Sequence, residues 1–491
     1  MRPVASRLSA LDASFLHLED HGPAHMHVAA VMTFGGTPPD YDAFVDAIVS
    51  RLHLVPRYRQ RLADVPFGQG RPRWVDDPHF NPEYHIREAA LPAPGSDDEL
   101  KRLAARIFGQ RLDRSKPLWE ILLVDGLEGD RFAIISKTHH ALVDGVSGVD
   151  IVSILFDTHP EPAPPHPPPP PWLPRPVPSQ AELLAEALVE RSTVPAEALR
   201  GLRALTRRPR HAAGRLAGNL AGLGSMALSG LNPAPRTPLN VRIGPHRRYT
   251  WVDADLGRLK AVKSALGGTV NDAVLAAVSL GLGRWLRDRG VDTEGLVLRA
   301  MVPVSVRADA ERGALGNRVA TMWAPLPVGV EDPAACFREI AEAMSVIKES
   351  GQAVGAEALT NLADFAPPTI LSQAARLQTR QRYFNLVVTN VPGPQLQLYL
   401  LGRPMQAIYP VVPLAANQAL GIAIMSYHGR VGFGLLGDFD ALPDLEAIAG
   451  HLEAALDELA LAAAPDPGPA PPRRRITGSR AARSTTPAAA P

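Results

Sequence analysis

His139 and His140 stand side by side, and Asp144 and Gly145 follow four and five residues after the second of them. Neutral imidazole is the side chain most used to take a proton from a hydroxyl near pH 7. The stretch SKTHHALVDGVSG, Ser136 to Gly148, therefore has the parts for general base catalysis. It also suits a loop fixed by Asp144 with two incidental histidines. A metal site is disfavoured, because adjacent strand residues point to opposite faces and cannot share one small ion without a sharp backbone turn. The spacing fits one imidazole facing a cleft and the other the interior, with Asp144 and Gly145 in the tight turn that follows. His140, nearer the loop, is the candidate base, and His139 is its inward neighbour.

Two further polar groups have catalytic types. GGTVNDAV opens a helix with Thr269, Asn271 and Asp272. Helix capping explains all three, while a helix N-terminus facing a cleft also stabilises developing negative charge. FNLVVTNVPGP ends a strand on Thr389 and Asn390 before a Pro-Gly-Pro turn, where ordinary turn chemistry is the plainer role. His25 and His27 share a strand face and mimic a metal pair, but no third ligand is evident and they read as structural. KPLWE, Lys116 to Glu120, reads as a strand start with a buried tryptophan. No G-x-S-x-G elbow or Walker loop occurs, and Cys336 lies mid-helix as core filling, so a covalent acyl-enzyme is not expected. GFGLLG, Gly432 to Gly437, matches G-x-G-x-x-G but sits inside the second strand of a hairpin, which rejects a dinucleotide site.

The elements that must position these residues alternate in kind. His27 to Phe34 reads as a strand, the helix after it is capped by Asp40, and Ser96 with Glu99 makes a capping box for a second helix. Two strands joined at Glu128-Gly129-Asp130 end on the twin histidines. From Arg247 a second alternating run begins: a strand, a helix Asn271 to Arg289 stopped by Gly290, strands near 296–307 and 319–328, and a helix Pro333 to Glu349. The strand YFNLVVTNV, a hairpin turning at His428-Gly429 and a last helix Leu442 to Leu461 complete it. Between the runs, twelve prolines fall between Asp157 and Ser179, which implies an extended linker that joins no packed core. No acid then appears between Glu197 and Asp253, an interval holding ten arginines, among them Arg200, Arg203, Arg207, Arg208, Arg210 and Arg215. That segment suits an anionic membrane surface or, equally, a solvated interdomain helix. The division is 1–158 for the first half, 159–179 for the linker, 180–245 for a helical Arg-rich connector, 246–462 for the second half and 463–491 for a disordered tail.

A chain of 491 residues exceeds what one core usually serves. With 51 basic and 50 acidic side chains it offers no long-range field for nucleic acid. One cysteine excludes internal disulfides and suits a reducing, cytoplasmic setting, and neither a secretory leader nor a transmembrane segment is read from the sequence.

Taken together, HHALVDG, LSALDASFLHLED, MHVAAVM, PLWE, NDAVLAAVSLGLGRWL and NLVVTNVPGP resemble the bacterial wax ester synthase/acyl-CoA:diacylglycerol acyltransferase family from about Leu8 to about Leu461. HHxxxDG alone is shared with a broader superfamily of CoA-dependent acyltransferases and condensation domains. The resemblance implies an α/β fold of two-layer α+β halves, similar to chloramphenicol acetyltransferase, with the reaction centre in a tunnel between them. It implies acyl-CoA as substrate with no cofactor and no metal, and diacylglycerol or a fatty alcohol as acceptor. His140 matches the general base, Gly145 the tight turn, and Asp144 either holds the loop by an ion pair or orients the imidazole. Asn271 and Thr389, with Asp272 and Asn390 beside them, are the candidates for positioning substrate and oxyanion. The proline run and basic segment are a departure from the family's connection, and they carry the expectation of peripheral binding to the inner face of the plasma membrane or to lipid droplets. Two other readings remain: a superfamily enzyme using a carrier-bound acyl donor or another hydroxyl or amine acceptor, and a non-catalytic lipid-binding protein.

Overall fold

The computed structural model describes residues 6–20, 22–142, 156–161, 172–189, 233–305, 319–349 and 383–464. Asp144, Gly145, the arginines 200–215 and the tail from 465 lie outside the described residues.

The first half opens with strand β1 (Ser6–Arg7), helix α1 (Ala10–Asp20), strand β2 (His27–Gly35) and helix α2 (Tyr41–Val49). Asp40 caps α2 as expected, its carboxylate accepting from the N–H groups of Asp42 and Ala43. Short strands β3 (Gln60–Ala63) and β4 (Arg73–Asp76) pair with β1 in a three-stranded sheet. A one-turn helix α3 (Pro82–His85), strand β5 (Ile86–Ala90) and helix α4 (Asp97–Phe108) follow. The Ser96–Glu99 capping box of α4 is present in both directions. The long strands β6 (Trp119–Leu127) and β7 (Arg131–His139) close this run, turning at Asp130 in a left-handed conformation.

The second half contributes β8 (Arg247–Asp255), α5 (Leu256–Leu266), α6 (Val270–Asp288), β9 (Val297–Ser305), β10 (Val319–Pro327) and α7 (Pro333–Glu349). It continues through β11 (Leu386–Pro392), β12 (Tyr399–Leu400), β13 (Arg403–Val411), β14 (Leu420–Tyr427), β15 (Arg430–Asp438) and α8 (Leu445–Ala462). Six strands form one sheet in the order β10-β9-β11-β14-β15-β8. α6 packs against α8 and β10, α8 itself also covers β8, and from Asp272 to Gly283 every residue of α6 is buried. The Cys336 side chain is fully buried in the same core, where burial pushes its thiol up to about 11. Among the described residues no single helix is long and apolar enough to cross a membrane.

Two sequence expectations change here. The division of the chain at 246–462 assigns strand β13 to the second half, yet β13 does not join the sheet of that half. It pairs antiparallel with β2, Val411 opposite Ala29 and Ile408 opposite Met32, so the first sheet runs β12-β13-β2-β7-β6-β5. The linker was expected to join no packed core. Its described end instead docks on the first half: the Trp172 ring lies under the Arg59 guanidinium at 4.9 Å, and Arg175 makes paired 3.0 Å hydrogen bonds to Asp76. A polyproline-like strand leaves its side chains free to reach sideways, and one aromatic and one arginine suffice to pin it.

The first two glycines of GFGLLG are explained by the crossing strand. β15 lies directly against β13, and a Cβ at Gly432 would sit 2.2 Å from the carbonyl oxygen of Ile408, one at Gly434 1.8 Å from that of Pro410. These positions need the missing side chain for close backbone approach and have no phosphate-binding geometry. Around them Tyr249 donates its hydroxyl to the Tyr409 carbonyl at 2.9 Å, Trp251 stacks on Tyr409 at 4.6 Å, and one continuous core takes in residues of both halves. Gly434→Ala is expected to lower the unfolding free energy by about 2–3 kcal/mol with one cooperative transition retained, measured by urea denaturation. An unchanged midpoint would show that the strands separate without strain.

Candidate active site

The antiparallel register of β2 and β7 sets the histidines. His27 faces His139 directly across the pair, and His25, two residues earlier, stacks beside His27 with ring centroids 5.7 Å apart. His139 is the last residue of β7 and is 1% exposed. His140 is the first residue of a 3₁₀ turn, His140–Leu142, and is only half-buried. Of the expected division, one imidazole toward the interior and the other toward a cleft, the inward one is His139, and His140 is the more exposed of the two.

The His139 Nδ1 accepts the backbone N–H of Ala141 at 3.1 Å, which leaves Nε2 to carry a proton, 3.3 Å from Glu19 Oε1. His139 thus braces the turn from beneath. The His140 backbone N–H donates to the Met26 carbonyl at 2.8 Å, and its ring lies against Phe15 with centroids 4.2 Å apart and planes inclined by 38°. Met26 in turn donates its N–H to Glu19 Oε1 at 2.6 Å. Glu19, Met26 and His139 are all buried.

Burial alone would lift the Glu19 carboxyl. His139 and the Arg114 guanidinium, 2.9 Å from Oε2, outweigh it and hold the carboxyl well below the usual carboxylate range. His25 and His27 behave in the opposite way. Burial lowers His25 from the ordinary 6.5 to about 4, with Arg247 and Arg111 adding to the effect, and lowers His27 well below 6.5 against the opposing pull of Glu19. Both are neutral at pH 7. Arg247, on β8 of the second half, donates to the Pro23 carbonyl at 2.6 Å and so ties the 22–26 loop to the other sheet. Among the described residues no group of three or more metal-ligating side chains has the arrangement to hold an ion.

The helix N-terminus at α6 is a full capping box: Thr269 donates its N–H and hydroxyl to Asp272 Oδ2, both at 2.8 Å, and accepts the Asp272 N–H at 3.2 Å. Asp272 is therefore a buried cap. Asn271, half-buried, accepts 3.3 Å from Asn390 Nδ2 on β11. The structure brings Asn271 to Asn390, whereas Thr389, its neighbour in an extended strand, points to the opposite face. Glu120 of PLWE pairs with Lys137 Nζ at 2.5 Å and with Arg87, while Lys137 also donates to the Ile107 carbonyl at the end of α4. Trp119 is buried, donating to the Tyr58 carbonyl at 2.8 Å, as a structural strand start requires. Asp144 and Gly145 are outside the described residues.

Sequence reasoning missed Glu19, Arg114 and Arg247. The signal for the first lay in LSALDASFLHLED, where Asp12, Leu16 and Glu19 recur at helical spacing and all three are buried. An acid on the apolar face of a helix needs a buried partner.

Two sheets joined through an exchanged strand, with the histidine pair ending a strand at their junction, define a two-lobed acyltransferase of condensation-domain architecture. The starter condensation domain of rhizomide synthetase, solved with C8-CoA and Leu-SNAC, aligns with a TM-score of 0.57 at 14% identity over 94% of each chain. The first condensation domain of the calcium-dependent antibiotic synthetase gives 0.55 at 16% over 94% of this chain and 97% of that one. These likenesses are of fold. The chain belongs to the wax ester synthase/diacylglycerol acyltransferase family: residues 8–274 match its catalytic domain and 315–460 its C-terminal domain. A protein named for diacylglycerol O-acyltransferase activity in Mycobacterium tuberculosis is 34% identical over 92% of this chain and 90% of its own length. A second from the same organism, named tgs1, is 32% identical over 98% and 99%. The wax ester synthase/diacylglycerol acyltransferase of Marinobacter aquaeolei VT8 aligns at a TM-score of 0.64 and 29% identity, covering 93% of this chain and all of that one.

The neutral buried histidines set a pH dependence for the fold. An imidazole with a folded pKa below its unfolded value leaves stability intact above about pH 6.5, and stability falls as pH drops toward about 4 because the unfolded chain binds the proton first. The urea midpoint is expected to fall steadily between pH 7 and pH 5. His25→Asn should flatten that slope.

Proposed function

We propose that this acyltransferase moves a long-chain acyl group from acyl-CoA to diacylglycerol, releasing triacylglycerol and free CoA, and that fatty alcohols serve as second acceptors to give wax esters. The observation that carries the chemistry is the position of His140: half-buried at the start of its turn, held through its backbone and ring, with the neighbouring histidine turned inward.

In this reading the His140 imidazole takes the proton of the acceptor hydroxyl as its oxygen attacks the thioester carbonyl carbon. The tetrahedral oxyanion then collapses, the carbon–sulfur bond breaks, and the imidazolium returns the proton to the CoA thiolate. No bond to the protein forms. The Asn271–Asn390 pair supplies amide donors for the oxyanion, and losing one such donor typically slows turnover on the order of 100-fold.

Purified protein supplied with acyl-CoA and diacylglycerol is expected to release free thiol and neutral lipid in equal amounts. His140→Ala should lower turnover by about 100- to 10,000-fold with an unchanged melting temperature, and unchanged turnover would remove His140 as the base. Competition by an acylated carrier protein against acyl-CoA decides the donor. If the carrier-bound group is preferred, the donor assignment fails while the base stands.

The setting we propose is cytoplasmic and peripheral, on an anionic membrane face or lipid-droplet surface. The acid-free interval between Glu197 and Asp253 supports it, since clustered arginines are drawn to negative surface potential. Binding to phosphatidylserine-containing vesicles is expected to weaken several-fold between low and physiological salt. Salt-insensitive binding would point to apolar insertion.

A further inference from the structure

We propose that helix α1 is the positioning element of the base, gripping His140 at two points from one helical face. The proposal rests on the reading of His140 given above and assigns roles to Phe15 and Glu19.

The two residues are four apart and lie one above the other on the helix. Phe15 meets the His140 ring itself, centroids 4.2 Å apart, and restricts how the imidazole turns about its side-chain bonds. Glu19 acts on the backbone. Its Oε1 accepts the Met26 N–H at 2.6 Å, and the Met26 carbonyl accepts the His140 N–H at 2.8 Å, so the carboxylate and His140 hold the two ends of one residue. The same oxygen lies 3.3 Å from His139 Nε2, whose other nitrogen accepts the Ala141 N–H of the catalytic turn. Glu19 therefore reaches the turn by two routes, one before His140 and one after it.

The carboxylate is itself held. Arg114 donates to Glu19 at 2.9 Å, to Asp20 at 2.6 Å and to the Leu16 carbonyl at 2.9 Å, fixing the C-terminal turn of α1. Arg111 donates to the Gly22 carbonyl at 2.5 Å, just beyond the helix. An ionised group buried with this many donors is rigid, and rigidity of supporting residues sets how closely a reacting group keeps its geometry. A merely structural acid would need only Arg114. The Met26 and His139 contacts are what direct it toward the base.

The test is steady-state transfer from radiolabelled acyl-CoA to diacylglycerol by the full chain, with kcat, both KM values and the melting temperature measured for Glu19→Gln, Glu19→Ala and Phe15→Leu. Glu19→Ala should lower kcat by about 100-fold and Glu19→Gln and Phe15→Leu by about 10-fold, with KM within about twofold. Gln loses less because its amide oxygen still accepts the Met26 N–H. In a His140→Ala background none of the three should slow the residual rate further, since they act through that imidazole. The proposal is overturned if kcat is unchanged in Glu19→Ala, if the loss is as large without His140, or if it comes with an equal rise in KM. Should Glu19→Ala fail to fold, Glu19→Gln and Phe15→Leu decide by the same criteria. Wild-type turnover in His140→Ala alone would instead sink the reading of the base.

Discussion

The strand Arg403–Val411 belongs by sequence to the second half and by hydrogen bonding to the first, and most of the architecture follows from that exchange. Once β13 is paired with β2, the two sheets are joined through shared backbone, and β15 lies against β13 so closely that two of its positions admit only glycine. The halves are then held in a fixed relation by strand geometry, which is stiffer than side-chain packing across a domain interface. Trp251, Tyr249 and Tyr409 fill the joint, and the core of one sheet continues into the other.

The same joint governs the site. β2 carries β13 on one side and β7 on the other, so the strand that seats the exchanged strand is also the one whose pairing with β7 sets His27 opposite His139. That register puts three imidazoles and one carboxylate in a space closed to water. Burial strips His25 and His27 of charge, while Glu19 keeps its charge because His139, Arg114 and the Met26 amide surround it. One ionised acid beside the neutral His25 and His27 rings makes a stiff polar support, and half-buried His140 follows directly on it. Arg247 extends the support across to the second sheet through the Pro23 carbonyl.

Much of the plan was legible along the chain. The strand and helix periods, the caps at Asp40 and Ser96, the turn at His428-Gly429 and the inward–outward split of the twin histidines each depend on neighbours within a few residues, and each stands in the structure. The motif set likewise led to the family that the comparisons establish. Other features were hidden because their causes are distant in sequence. GFGLLG reads locally as part of a hairpin strand, and only the carbonyls of residues 408 and 410 show why glycine is required at 432 and 434. The docking of Trp172 and Arg175 depends on Arg59 and Asp76, about a hundred residues earlier.

The sequence by itself determined the element types, the reaction family and the histidine that faces outward, since alternation along a strand needs no partner to specify it. Tertiary structure alone decided which sheet takes the strand at 403–411, that Asn390 and not Thr389 meets Asn271, and that an acid in the first helix meets the Met26 backbone beside the histidine turn. Those outcomes are set by contacts between segments far apart in the chain, and local periodicity contains no term for the register in which two such segments meet.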